Sequence, residues 1–194
     1  MATNNQLIEG LYVSYFQRPA DNPGLEFWGK AMATMSLDAV SAEFAKSTEY
    51  QGLVAGKTPE QVVDALYLNV LGRHAEAAAL DFYGNALKNG AATVANVVGY
   101  ITAGAQGSDR VAYADKMVAA ELFSAALKVN SAYVLAYSSG GTAHAVGRAY
   151  IAGVTDDASL ALALHNLEST VSGLGGPIVT MVGQAAPLHD ALLA

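Results

Sequence analysis

The stretch Leu11-Tyr12-Val13-Ser14-Tyr15-Phe16-Gln17-Arg18-Pro19-Ala20-Asp21-Asn22-Pro23-Gly24-Leu25-Glu26-Phe27-Trp28 returns in altered form 55 positions later. There it reads Leu66-Tyr67-Leu68-Asn69-Val70-Leu71-Gly72-Arg73-His74-Ala75-Glu76-Ala77-Ala78-Ala79-Leu80-Asp81-Phe82-Tyr83. The same offset also pairs Thr3 with Thr58, Gln6 with Gln61, Gly29 with Gly84 and Ala31 with Ala86. An ungapped repeat of this length implies one duplicated supersecondary unit.

Periodicity identifies the unit as helical. Thr3 and Gln6 are spaced as a capping box, and Thr58 and Gln61 repeat it with Pro59 at the first helical position. Leu7, Leu11 and Tyr15 then recur at i, i+4 and i+8, as do Val62, Leu66 and Val70. Pro19 and Gly72 break these helices. Asp21 is placed to cap a second helix with Leu25, Trp28, Met32 and Met35 on one face, matched by Leu80, Tyr83 and Leu87 before an Asn89-Gly90 stop. Ser36 and Thr93 open a third helix in each unit.

Turn formers gather at Ala105-Gln106-Gly107-Ser108-Asp109, where Asp109 is a plausible cap for a helix from about Arg110 to Leu127. Further helices are expected over Thr142 to Ala152 and from Thr155 or Asp156 through Leu160, Leu164 and Leu167. Gly173-Leu174-Gly175-Gly176-Pro177 then precedes a last short apolar helix. Strand-like runs such as Ala132-Tyr133-Val134-Leu135 are too few for a sheet. The expectation is an all-α chain: helical repeats over 1–56 and 57–107, then a helical subdomain over 108–194.

Composition narrows function. The chain of 194 residues is 53% hydrophobic and 14% charged, which excludes disorder. Its net charge of −7 opposes the counterion release on which nucleic-acid binding depends. Without cysteine there are no disulfides, thiolate metal sites or Cys nucleophiles. The opening Met1-Ala2-Thr3-Asn4-Asn5-Gln6 lacks the basic start and apolar core of a cleaved signal, and no apolar run is long enough to span a membrane.

No motif supports catalysis. Gly52-Leu53-Val54-Ala55-Gly56-Lys57-Thr58 is one residue short of a phosphate loop and has no strand before it. His74, His144, His165 and His189 lack metal-ligand spacing, and no nucleophile elbow surrounds a serine. A non-enzyme is expected. Arg18 and Arg73, each three residues before an acidic partner (Asp21 or Glu76), read first as clamps on the bend and second as ligand contacts. Trp28 and its counterpart Tyr83 read first as core and second as sugar platforms. With Arg148 these make up the candidate glycan-binding set: Arg18, Asp21, Trp28, Arg73, Tyr83 and Arg148. Asp156 and Asp157 form an N-cap that is also the candidate calcium site.

Written as Leu-Tyr-x₅-Arg-Pro-x-Asp-x₂-Gly-Leu-x₂-Trp, the first unit resembles a bacterial domain of unknown function found in large surface and secreted proteins of Gram-negative bacteria. Leu11, Tyr12, Arg18, Pro19, Asp21, Gly24, Leu25 and Trp28 carry the resemblance. The second unit keeps Leu66, Tyr67, Arg73 and Leu80 but has His74, Glu76, Ala79 and Tyr83 at the other positions. The part after Asp109 is similar to the N-terminal region of surface-layer proteins exported by type I machinery. These resemblances imply a non-catalytic anchor that binds the O-antigen of lipopolysaccharide, with calcium as a possible aid and copies of itself as lattice partners. The alternative they leave open is a helical interaction or self-assembly module.

Overall fold

The computed structural model describes residues 3–175, so His189 and the expected terminal helix lie outside the described residues. Among the described residues there are twelve α-helices and no strand. The first unit comprises α1 (Asn4–Phe16), α2 (Asn22–Ala31), α3 (Leu37–Lys46) and α4 (Thr48–Val54). The second comprises α5 (Pro59–Leu71), α6 (Ala77–Lys88) and α7 (Val94–Gly104). The rest is α8 (Gly107–Leu127), α9 (Ser131–Ser138), α10 (Thr142–Ala152), α11 (Asp157–His165) and α12 (Leu167–Ser172), ending in a 3₁₀ turn at Gly173–Gly175.

The local signals act where the sequence puts them. Thr3 and Thr58 both form complete capping boxes with Gln6 and Gln61, and Thr93 forms one with Asn96. The helix ends match as well. Gln17 closes α1 in the left-handed region at φ 55°, and Gly72 closes α5 at φ 71°. Glycine takes that conformation without a Cβ penalty, whereas glutamine takes it at a cost.

Five details differ from expectation. The α4 helix follows α3 after a single residue, and Ser47, whose hydroxyl accepts the Tyr50 N–H, caps it; no periodic stripe announced it. Gln106, not Asp109, is the N-cap of α8, which therefore starts at Gly107 rather than near Arg110. Asp109 sits in the first turn instead, where its charge suits the helix dipole and a guanidinium claims it. The strand-like Ala132–Leu135 run lies inside α9, capped by Asn130. Asp156, one of the two expected caps, starts α11, but that helix stops at His165 and Leu167 opens a separate helix, α12.

Two apolar clusters hold the fold. The larger joins α1 through α7 around Ile8, Tyr15, Phe44, Leu66, Val70 and Val97. The smaller gathers Ala119, Phe123, Leu127, Tyr137, Ile151 and Val171 from α8 to α12, and one α1 residue, Val13, reaches into it. Helices α1 and α8 pack directly against each other. Gly10 permits the approach, since a Cβ there would stand 2.5 Å from the Tyr113 hydroxyl oxygen.

Candidate functional site

The reversed backbone at Gln17 turns Arg18 back over α1. Its guanidinium carbon lies 5.1 Å from the Tyr12 ring centroid and 5.3 Å from that of Phe16. The fork is fully used: Nε and Nη2 donate to the two carboxylate oxygens of Glu49 at 2.9 and 2.8 Å, and Nη1 donates to the Pro19 carbonyl at 3.0 Å. Asp21 stands 3.6 Å away while its carboxylate also caps α2 through the Gly24 N–H. Burial alone would lower the arginine pKa, but the Glu49 hydrogen bonds and charge raise it above the ordinary value. Burial pushes the Glu49 carboxyl up and Arg18 pulls it down, with a net lowering.

The bend after Arg18 is held from three sides. Glu9 accepts the Ala20 N–H at 2.9 Å, Ser124 of α8 donates to the Ala20 carbonyl at 2.9 Å, and Tyr137 of α9 donates to the Pro19 carbonyl at 2.9 Å. Arg18 is 2% exposed. With each of its three nitrogens donating and almost no surface, it acts as a clamp. The hollow beside it, lined by Tyr12, Asp21, Trp28, Phe44 and Glu49, has about 180 Å³, below the few hundred Å³ of a ligand pocket.

Arg73 repeats the construction in the open. Nε and Nη2 donate to Asp109 at 2.8 and 2.7 Å, and Nη1 donates to the His74 carbonyl at 3.1 Å and to Glu76 at 2.7 Å. Its guanidinium carbon is 5.5 Å from the Tyr67 centroid. Asp64 accepts the Ala75 N–H at 3.0 Å, as Glu9 does that of Ala20. The hydrogen bond to Asp109 raises the arginine pKa and lowers that of the aspartate. Tyr83 and Tyr67 line a hollow of about 170 Å³ beside it.

The structure thus brings Arg18, Asp21 and Trp28 together in one hollow and Arg73 and Tyr83 in another. Arg148, on α10, lines a third with Gln17, Tyr50, Lys57 and Asn69. Trp28 is half-buried, with its ring centroid 5.0 Å from that of Phe44 and 4.9 Å from that of Phe27. The Asp156 carboxylate accepts from the Ser159 N–H and hydroxyl, while Asp157 occupies the first turn of α11. Burial and the neighbouring Asp157 raise the pKa of Asp115. Among the described residues no group of three or more His, Asp or Glu could hold a metal ion. Of the Gly52–Thr58 stretch, the first three residues end α4 and Thr58 caps α5.

A different surface has the size of a site. An open groove of about 660 Å³ runs between α6 and α7, lined by Asp81, Phe82, Tyr83, Asn85, Asn89 and Tyr100 among others. Phe82 is 69% and Tyr100 54% exposed. Tyr83 stacks on Tyr100, with 6.2 Å between centroids and 20° between planes, and meets Phe82 edge to face at 5.1 Å. At the equivalent place on α2, Phe27 is 63% exposed and stands edge to face on Trp28. Of these residues only Trp28 and Tyr83 were expected at a site. The signal for the others was present: Phe27 and Phe82 are identical across the repeat yet lie off the apolar stripe, which directs them outward.

Among the described residues no helix is long and apolar enough to cross a membrane. No curated protein and no solved structure matches the chain. Residues 42–104, from within α3 to the end of α7, match the family described as Domain of unknown function (DUF4214).

Proposed function

We propose that this chain is a non-catalytic module of a protein on the surface of a Gram-negative bacterium, and that it binds the O-antigen polysaccharide of lipopolysaccharide. The observation that carries this reading is the outward ring of Phe82 in α6, which lines the α6–α7 groove; Phe27 stands at the matching place in α2. Each is braced edge to face by the next residue, Trp28 or Tyr83. A braced ring offers a sugar's C–H face a flat apolar surface at little entropic cost, and neighbouring amide and hydroxyl groups can take its hydroxyls.

In this reading the two helical units are copies of one ancestral unit, and the third part fixes the first through Ser124 and Tyr137. Export by a type I route, a place in a surface layer and calcium assistance belong to the same proposal and rest on the resemblance. Co-sedimentation with smooth and rough lipopolysaccharide tests it. Binding to smooth material alone supports the reading, and failure on both removes it.

A second reading, self-assembly, has its own observation. Val129, Leu135 and Leu162 are 84%, 74% and 62% exposed. Val129 also borders an apolar hollow of about 390 Å³ with Tyr133, Leu164, Leu167 and Val171. Association that grows with protein concentration in light scattering, without polysaccharide, would favour it.

A further inference from the structure

We infer that the α6–α7 groove alone is the sugar site, that its ligand is an uncharged pyranose segment of a polysaccharide, and that the matching face of the first unit does not bind; this rests on the polysaccharide-binding reading. The argument comes from how the two units differ. On the outer face of α2, the residues 55 positions before Asp81 and Asn85 are Glu26 and Lys30. Helix α7 is displaced by two further positions, since its cap Thr93 corresponds to Ser36, so Tyr100 corresponds to Glu43 of α3. Glu43 is paired with Lys46 at 2.8 Å. At the positions matching Asp81, Asn85 and Tyr100 the first unit therefore carries Glu26, Lys30 and Glu43, all charged, where the second keeps one carboxylate and has a carboxamide and a phenol in place of the other two.

The groove's own groups are also uncommitted. Among the described residues neither the Asn85 carboxamide, the Asp81 carboxylate nor the Tyr100 hydroxyl has a hydrogen-bond partner, and of the Asn89 side chain only Oδ1 is engaged, accepting the Ala91 N–H. Two donors and an acceptor on Asn85, a phenol and a carboxylate suit vicinal hydroxyls, and the faces of Phe82 and Tyr100 suit an axial C–H surface. Charge decides the class. Among the described residues Asp81 is the only acidic or basic side chain lining the groove, on a chain of net charge −7, so a uronate or phosphate-bearing residue is repelled there while a neutral hexose is not. The volume of about 660 Å³ lies within the range of small-ligand sites.

The test uses the whole chain and smooth lipopolysaccharide from the bacterium that makes it, with Phe82→Ala, Tyr100→Ala and Asn85→Ala set against Phe27→Ala. All four side chains are exposed, and an unchanged melting temperature confirms that each variant is folded. The expected result is at least about a tenfold loss of affinity for the groove variants, under about twofold for Phe27→Ala, and less than about twofold change between 50 and 500 mM salt, as an uncharged ligand requires. Equal loss from Phe27→Ala and Phe82→Ala, or full binding by the groove variants, overturns the inference and leaves the polysaccharide reading in place. A steep fall of affinity with salt overturns the neutral class. If the unmodified chain fails to bind, the reading and the inference fall together.

Discussion

Arg18 and Glu49 form a two-pronged ion pair, with contacts of 2.9 and 2.8 Å, while Arg73 makes the same fork to Asp109 at 2.8 and 2.7 Å. The two arginines are 55 positions apart but their partners are 60 apart, because the first carboxylate comes from α4 and the second from the first turn of α8. In both cases the carboxylate lies in the first turn of the next helix, α4 after α3 and α8 after α7.

Their exposure separates the two in energy. The Arg18 side chain is 3% exposed and that of Arg73 39%. Removing one partner of a buried pair leaves the other charge stranded, so Arg18→Ala or Glu49→Ala is expected to cost about 3 to 5 kcal/mol in denaturant unfolding. Arg73→Ala, screened by water, is expected to cost about 1 kcal/mol or less. Arg18→Lys should not restore stability, since an ammonium cannot make the fork.

Glu9 is 1% exposed, and burial raises its pKa to about 7, against the hydrogen bond from the Ala20 N–H. A carboxyl whose folded pKa is raised stabilises fully below its unfolded value of 4.5, and that stability is lost as pH rises through 7. The shift corresponds to roughly 3 kcal/mol. Urea titrations of Glu9→Gln against the parent at pH 4.5 and pH 8 check this. The variant should gain relative stability at the higher pH, because its amide cannot ionise.

Lys116 is fully buried, and its Nζ donates to the Ile151 carbonyl at 3.1 Å, with no carboxylate partner among the described residues. Burial lowers its pKa to about 8. The sign is opposite to that of Glu9: the folded state binds this proton less tightly, so the penalty is complete below pH 8 and fades as pH rises toward 10.5. Lys116→Met should therefore stabilise by about 2 kcal/mol at pH 7, and the gain should shrink by pH 10. Thermal melts at the two pH values measure it.

Gln17 holds the left-handed position that Gly72 fills in the second unit. Gln17→Gly should raise stability by about 0.5 to 1 kcal/mol, the strain relieved less the entropy glycine loses on folding. A Gly72→Ala variant should instead lose stability, and by more than that gain, since its Cβ would also stand 2.8 Å from the Thr155 Cγ2. Differential scanning calorimetry of the two variants compares them.

The all-helical class was legible because caps and apolar stripes are local. Thr3, Thr58, Ser36 and Thr93 each announced a helix start that the fold uses. Helix α4 was not legible, as its seven residues bury only Tyr50 and show no stripe. The partners of the arginines were hidden for a different reason. The bend carbonyl and the acidic residue three positions on were local guesses, whereas Glu49 and Asp109 reach the guanidinium by tertiary packing. Asp109 misled as a cap because a helix start and an ion-pair partner favour the same residue type. The family resemblance is carried mainly by the first unit, while the family match covers residues 42–104, the end of the first unit and nearly all of the second. Exposure of Phe27, Phe82 and Tyr100 required the packing of α2, α6 and α7.

The claim that this surface holds polysaccharide without altering it is tested most directly by calorimetric titration of the chain with O-polysaccharide freed of its lipid, followed by sizing of the recovered sugar. The account predicts saturable heat with the long polysaccharide, none with the core oligosaccharide, and a recovered chain of unchanged length. Absence of heat with the polysaccharide, or its shortening, would contradict it.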